Sequence, residues 1–349
     1  MRKFSILLFV AFACVSAQAA PMASLRGSGE WVRFPSNPVL RAPDDRAIVA
    51  DPSILFDPAR RRYRMWFGHV GVGLQGGPAA RIGYGDSPDG LRWSNLAFEL
   101  VPLGAQGAWD DRHVETPHVI RDDGEPDPAK RFKMWYSGLT GEHTYRIGYA
   151  TSADGLTWRK LPAGQSPYGK AGLVLDVQDG ELAVSDPTVL QRNGRYHLWF
   201  SMLSLRGGKP DGGIGYATSE DGIRWRRHPA SPVVRGSGWD ARWGVEGWPG
   251  IPYVLWSGQE YELWYHAGLY PKDARVDPSK QAIGYAASKD GVRWRKLDHP
   301  ILVPDTSQPS EAQGWFPGTA AIYQGSRTLL YWPAIANNRI ALNLAIRER

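Results

Sequence analysis

The residues of this 349-residue chain that are best suited to chemistry are acidic residues a few positions before a proline in the sequence. Five segments align on such a proline, and four of them carry a carboxylate: Ala50-Asp51-Pro52, Glu115-Thr116-Pro117, Ser185-Asp186-Pro187, Glu246-Gly247-Trp248-Pro249 and Trp315-Phe316-Pro317. Carboxyl groups that meet in a partly desolvated pocket push one another's pKa values apart. Acid–base catalysis requires such separated pKa values, so these acids predict a catalytic site if the fold brings them together.

The segments between these acids repeat a pattern that predicts β-sheet. The motif Asp-Gly-x-x-Trp ends at Trp93, Trp158, Trp225 and Trp294, which are 65, 67 and 69 positions apart. An apolar-aromatic run of period two, a Gly-rich gap and an Ile-Gly-Tyr run precede each motif, and this order indicates strands joined by tight turns. The Asp-Gly turns themselves are interpreted as structural. Repeats of this length predict sheets arranged radially around a centre.

The number of predicted sheets is five. The matching middle-strand aromatics are Trp66, Trp135, Trp199, Trp264 and Trp332. The fifth outer strand is expected in the segment 31–40, which resembles the segments after two later Asp-Gly turns, and its pairing with the last sheet would close the ring. The sequence therefore predicts an all-β, five-bladed β-propeller closed by an N-terminal strand. Because the first strand of every blade is innermost, the acids are expected at one end of the central channel.

Residues 1–19 predict a secretory signal peptide. Met1-Arg2-Lys3 precede an apolar stretch, and Ala17-Gln18-Ala19 offers a cleavage site between small residues. Cleavage near Ala19 would leave residues 20–349 as one propeller domain in the periplasm or outside the cell. A lipoprotein anchored through Cys14 is the less favoured alternative, because the residues before that cysteine fit a lipoprotein signal poorly.

The composition limits the kinds of bound metal and partner that the chain is expected to have. Cys14 is the only cysteine, so cleavage would exclude disulfides and thiolate metal sites. A net charge of +6 suits an acidic glycan or an anionic surface, and equally an ordinary basic protein. No Lys/Arg run or nucleic-acid motif occurs, and no segment beyond the signal peptide is apolar enough to span a bilayer. The predicted partner is an oligosaccharide or polysaccharide, and the oligomeric state stays open.

The motifs around Asp51, Asp186 and Glu246 resemble the three catalytic signatures of glycoside hydrolase family 43, and their order is similar to that of the related fructosidase families. The resemblance implies that Asp51 is the general base, Glu246 the general acid and Asp186 the carboxylate that tunes this acid. Family 43 enzymes invert, which requires a gap of about 6.5–9.5 Å between base and acid. The resemblance also implies an arabinofuranoside or xyloside substrate, and we expect no cofactor.

Two blades depart from the family pattern. The second has Glu115-Thr116-Pro117-His118 in place of a Trp-Ala-Pro-Asp type sequence. The fifth has aromatic residues and no histidine, so we expect no channel calcium and no other metal. The residues expected to bind substrate are Glu115, His118, Trp248, Trp315 and Phe316.

Other interpretations stay open at this stage. Asp51 and Asp186 could simply cap turns before proline. The acids could belong to a carbohydrate-binding propeller without catalysis, or to a retaining glycosidase or a phosphorylase, for which Arg112 and Arg339 are the only candidate phosphate ligands. The Asp-Gly-x-x-Trp motif is one residue shorter than the sialidase Asp-box, which makes a sialidase a weak alternative. The sequence specifies neither the sugar nor the choice between exo and endo action.

Overall fold

A computed structural model of the chain describes residues 29–43, 48–141, 144–240, 249–268 and 278–349. The predicted signal peptide, Cys14, Glu246 and Trp248 lie outside these residues. The described part contains no α-helix, and hence none long and apolar enough to cross a membrane. Its regular structure consists of antiparallel strands and five short 3-10 turns, Pro128–Lys130, Ala163–Gln165, Gly238–Asp240, Pro278–Lys280 and Pro309–Glu311.

The strands form five antiparallel sheets, which are the predicted blades. Strand β1 (Val32–Arg33) precedes them in the chain. Blade 1 contains β2 (Val49–Asp57), β3 (Arg62–Val72), β4 (Pro78–Ser87) and β5 (Ser94–Ala97). Blade 2 contains β6 (His113–Arg121), β7 (Phe132–Leu139) and β8 (Tyr145–Ser152), with β9 (Arg159–Lys160) and β10 (Leu173–Leu175) both paired to β8.

The remaining three blades repeat this order. Blade 3 contains β11 (Glu181–Arg192), β12 (Arg195–Arg206), β13 (Lys209–Ser219) and β14 (Arg226–Arg227). Blade 4 contains β15 (Gly250–Trp256), β16 (Tyr261–Gly268), β17 (Gln281–Ser288) and β18 (Arg295–Lys296). Blade 5 contains β19 (Ala320–Gln324), β20 (Arg327–Ala336) and β21 (Arg339–Glu348). The first strands β2, β6, β11, β15 and β19 contact one another in sequence around the ring.

The N-terminal strand closes the ring, as predicted. Strand β1 pairs antiparallel with β21, with Val32 opposite Ile346, and so becomes the outer strand of blade 5. Asn37 fixes this junction, because its Nδ2 donates to the Leu344 carbonyl at 3.0 Å and its Oδ1 accepts from the Leu344 N–H at 2.8 Å. The closure removes the two free edges that an open ring would expose.

The Asp-Gly turns join neighbouring blades through a tryptophan. Trp66 Nε1 donates to the carbonyl of Gly155, which lies in the turn of the next blade, at 2.8 Å. The same contact joins Trp135 to Gly222 at 2.9 Å and Trp199 to Gly291 at 2.8 Å. These buried hydrogen bonds confirm that the repeated motif is structural.

Blade 5 follows a different register from the one predicted. Tyr331, and not Trp332, donates to the equivalent turn carbonyl, that of Gly90, at 2.7 Å. The ring of Tyr331 lies 6.2 Å from Trp93, the same separation as between Trp66 and Trp158. The assignment of Trp332 as the fifth middle-strand aromatic is therefore wrong by one residue.

Candidate active site

Each innermost strand bends at one residue with a positive φ, and these residues surround the centre of the ring. Strands β2, β6, β11 and β15 have a bulge there, where Asp51, Thr116, Asp186 and Ile251 have φ values of 47°, 45°, 52° and 48° and each precedes a proline. In blade 5 the corresponding residue is Gly318, with φ 132°. A bulge re-aims the side chain that it carries. For non-glycine residues this backbone conformation is unfavourable, so neighbouring structure must hold it.

The structure corrects the predicted alignment in the fourth and fifth blades. Tyr253 pairs with Trp264 as Ser53 pairs with Trp66, so the counterpart of the first-blade proline is Pro252 and not Pro249. Pro317 precedes the bent residue of its blade, whereas the other prolines follow theirs. Only two of the five equivalent positions therefore carry an acid, and these are Asp51 and Asp186. Glu115 stands one residue before the bent Thr116 of its blade.

Four of these positions, together with Thr319 of blade 5, line a small depression at the centre of the ring. All five blades contribute to its wall. The lining residues are Asp51, Pro52, Thr116, Pro117, His118, Asp186, Pro187, Ile251, Pro252, Tyr253 and Thr319. We call this depression the axial pocket.

Three half-buried carboxyl groups lie at or beside the axial pocket, and their pKa values are raised. Burial raises the pKa of Asp51 well above its usual range, and the charges of Glu115 and Asp186 raise it further. Burial raises the pKa of Glu115 to about 7, against the opposing hydrogen bond from Tyr145. Burial also raises the pKa of Asp186, with Ser201 and Ser185 opposing the shift. The three groups are thus close enough to interact, and ionising all of them together is unfavourable.

Tyr145 is a residue of the site that the sequence did not indicate. Its hydroxyl donates to Glu115 Oε1 at 2.6 Å. Burial and the charges of all three acids raise the pKa of this phenol, so it stays protonated and acts as a donor. One feature of the sequence could have indicated it. Tyr145 directly precedes Arg-Ile-Gly-Tyr, and the residues at this position in two other blades are the small Ala80 and Gly212.

His118 borders the axial pocket and also joins two blades. It is 5% exposed, its Nδ1 accepts the N–H of Val189 at 3.3 Å, and its ring lies 5.4 Å from that of Tyr253. Burial lowers the pKa of this histidine to about 3, so the ring is neutral. Ser53 Oγ makes the corresponding contact between blades 1 and 2, where it accepts the N–H of Val119 at 2.9 Å.

The two aromatic residues predicted in blade 5 differ in exposure. Trp315 is 1% exposed, donates through Nε1 to Glu311 and packs 5.3 Å from Trp332. Its ring faces are therefore covered by protein, and the expected stacking on a sugar is not available to it. Phe316 is 36% exposed.

The axial pocket has no Lys or Arg side chain among its described lining residues, and His118 is its basic residue. Arg112 and Arg339 are exposed and line separate grooves in blades 1–2 and blade 5. Within the described ranges, no group of three His, Cys, Asp or Glu side chains is arranged to hold a metal ion. The carboxyl groups and the Tyr145 hydroxyl can transfer protons and form hydrogen bonds with a polar ligand.

Comparison with known protein sequences finds similarity over part of the chain. No protein-family model matches the chain. An uncharacterized protein of Mycobacterium tuberculosis is 36% identical over 102 residues, which cover 28% of this chain and 30% of that protein. The matched segment is thus about a third of that relative's length.

Solved structures match over most of the chain. The complex of BT0996 with RGII has a TM-score of 0.69 at 16% identity and covers 92% of both chains. A thermostable family-43 glycoside hydrolase has a TM-score of 0.61 at 18% identity, covering 89% of this chain and 91% of that one.

A third structure belongs to work on the GH130 family of mannoside phosphorylases, which contains glycoside hydrolases that target β-1,2 mannosidic linkages in Candida mannan. It has a TM-score of 0.64 at 16% identity and covers 93% and 95% of the two chains. The protein thus has the five-bladed propeller fold of glycoside hydrolases and their relatives. At these identities the likeness establishes the fold and not the activity, which depends on the residues of the site.

Proposed function

We propose that the chain is an exported glycoside hydrolase that cleaves a glycosidic bond at the axial pocket. The observation that carries the proposal is the meeting of Asp51, Glu115 and Asp186, which come from three blades and interact electrostatically with raised pKa values. Purely structural turn caps would not need to be gathered at the centre of the ring. Hydrolysis of a glycoside needs one carboxyl group as proton donor and another as base or nucleophile.

Asp51 is proposed as the general base that activates water. A carboxylate with a raised pKa is a stronger base once ionised, and a base is most effective when its pKa lies near the working pH. Glu246 is proposed as the general acid, and its chain position lies shortly before the fourth-blade bulge. A separation of about 6.5–9.5 Å between these two carboxyl groups is what an inverting reaction requires.

The proposed substrate is an arabinofuranoside or xyloside, which follows from the family-43 resemblance. Glu115 and Tyr145 would then bind sugar hydroxyls. Their hydrogen bond supplies a fixed acceptor and donor at the edge of the pocket, and buried polar pairs of this kind discriminate strongly between ligands with and without a matching hydroxyl.

The test is hydrolysis of a panel of aryl glycosides and plant oligosaccharides by the wild type, Glu246→Gln and Asp51→Asn. Both substitutions preserve side-chain size, and each should lower turnover by about two to four orders of magnitude, as expected for loss of acid or base catalysis. Asp298→Asn is the control, because Asp298 has a side chain that is 93% exposed. Proton NMR of the first sugar released would show which anomer forms. Near-wild-type turnover of both site variants would refute the assignment.

A phosphorylase is the second candidate, and the likeness to the GH130 structure favours it. It would require inorganic phosphate as a co-substrate and a sugar phosphate as product. The same assays with and without phosphate separate the two candidates, since a hydrolase is indifferent to phosphate.

A further inference from the structure

Asp51 and Asp186 occupy equivalent positions but have chemically different neighbours. Both stand at a first-strand bulge with almost the same φ, 47° and 52°, and both precede a proline. The residue before each is Ala50 in blade 1 and Ser185 in blade 3. These residues pair with Gly68 and Ser201 respectively on the second strands. At the same two positions, therefore, blade 3 has two hydroxyl groups and blade 1 has none.

The hydroxyl groups of blade 3 stabilise the ionised form of Asp186. Ser185 Oγ donates to Asp186 Oδ2 at 2.8 Å. Ser201 Oγ accepts the N–H of Ile251 at 2.8 Å, which leaves its single proton to be donated, and it also hydrogen-bonds Asp186. An ionised carboxylate only accepts hydrogen bonds, so both contacts favour the anion.

Asp51 has no such donors in its own blade. A Cβ atom built on Gly68 would lie 3.2 Å from Asp51 Oδ2, and one built on Gly318 would lie 3.0 Å from Oδ1. The carboxyl group is thus held between two glycines, which bring no polar side chain. Among the residues that the structure describes, the titratable groups that face it are Glu115 from β6 and Asp186 from β11, with Tyr145 of β8 close to all three acids. Negative neighbours and missing donors both disfavour the charge on Asp51.

We infer that Asp186 is the carboxyl group of the axial pocket that stays ionised and that Asp51 is the one that holds a proton. Ser185 and Ser201 are positioning residues that create this difference. Burial raises the pKa of both aspartates, but the charge of Asp186 raises that of Asp51 further while the two serine hydroxyls oppose the shift of Asp186. The inference deepens the proposed function, in which Asp51 must lose its proton before it can activate water.

The proton distribution is measurable without substrate. Carbon-13 NMR of labelled aspartate carboxyl groups in the full chain gives the titration midpoints, and Asp51→Asn and Asp186→Asn assign the two signals. The midpoint of Asp51 is expected well above that of Asp186. A midpoint of Asp186 equal to or above that of Asp51 would overturn the inference.

Serine variants test the cause of the difference. Ser185→Ala should raise the Asp186 midpoint by about one to two pH units, because a hydrogen bond to a charged group contributes about 1.5–3 kcal/mol and one pKa unit is about 1.36 kcal/mol. Ser185→Thr keeps the hydroxyl and should restore the wild-type midpoint. Ala50→Ser adds the missing hydroxyl to blade 1 and should lower the Asp51 midpoint. An unchanged Asp186 midpoint in Ser185→Ala and in Ser201→Ala would refute the role of the serines.

The midpoint measurements and the glycan-cleavage assay test the inference and the proposed function separately. The expected midpoints in a protein that cleaves no glycan would leave the proton distribution standing and refute the hydrolase. Glycan cleavage by a protein with the reverse midpoints would refute the inference and leave the hydrolase standing, with Asp51 as a base that is already ionised before substrate binds.

Discussion

Replacing Tyr145 by phenylalanine should change the ionisation of Glu115 by a predictable amount. The Tyr145 hydroxyl donates to Glu115 Oε1 at 2.6 Å and opposes the effect of burial, which raises the pKa of Glu115 to about 7. Tyr145→Phe removes a donor that favours the ionised form, so the pKa of Glu115 must rise further. A hydrogen bond to a charged group contributes about 1.5–3 kcal/mol, which corresponds to about one to two pKa units.

The effect is largest near neutral pH. In the wild type about half of the Glu115 side chains are ionised near pH 7, and a rise of one unit would reduce that fraction to about a tenth. If ionised Glu115 accepts a hydrogen bond from a sugar hydroxyl, KM should rise several-fold in Tyr145→Phe near neutral pH. It should recover only in part at higher pH, because the contact between the Tyr145 hydroxyl and the sugar is lost at every pH. The turnover number kcat should change less, because the proposed acid and base keep their side chains and Glu115 acts on Asp51 only through its charge.

Two measurements check this reasoning. Carbon-13 NMR of labelled glutamate gives the Glu115 midpoint directly, with Glu115→Gln to assign the signal, and steady-state kinetics from about pH 5 to pH 9 give KM and kcat. Tyr168→Phe is the control, since Tyr168 is 42% exposed. A Glu115 midpoint that stays the same or falls in Tyr145→Phe would refute the argument. A raised midpoint with an unchanged KM would remove Glu115 from the substrate contacts.

Three further predictions concern stability. Glu115 has a folded-state pKa of about 7 against an ordinary 4.5, so the folded state binds the Glu115 proton more tightly than the unfolded state does. The folded state therefore loses stability as the pH rises from 4.5 to about 7. Glu115→Gln should raise the Tm at pH 8 and change it little at pH 4. Trp199→Phe should lower the free energy of unfolding by about 1–3 kcal/mol more than Trp264→Phe in urea titrations, because both rings are fully buried but only Trp199 has a hydrogen-bond partner for Nε1. Asn37→Ala removes two hydrogen bonds at the ring closure and should cost about 1–3 kcal/mol by the same measurement; equal stability of variant and wild type would show that β1 alone maintains the closure.

The repeat pattern was sufficient to predict the blades but not their local register. The Asp-Gly turns recur at a regular spacing, and each depends on local hydrogen bonds that a short motif can specify, so the five blades and the closing strand followed from the sequence. In blade 4, Pro249 and Pro252 are both available for alignment, and only the pairing of Tyr253 with Trp264 decides between them. In blade 5, the adjacent Tyr331 and Trp332 are equally plausible until their side-chain directions are known.

The candidate site was predictable to the extent that it lies on the innermost strands. Asp51 and Asp186 were found because a motif marks the bulge on which each stands. Tyr145 and Ser201 lie on other strands, and packing alone brings them to the acids. The burial of Trp315 is likewise a tertiary property, because its indole N–H is directed to Glu311 by the turn before it.

Because β1 pairs with β21, the propeller ring can close only after the last strand has been synthesised. These strands lie at opposite ends of the chain, and Val32 meets Ile346 only in the last blade. A nascent or truncated chain that lacks β21 leaves both β1 and the edge of β20 without a partner. Exposed strand edges of this kind attract other chains, and long-range pairing of this kind forms late in folding. Incomplete copies would therefore stay open and available to proteases, whereas a finished copy closes on itself.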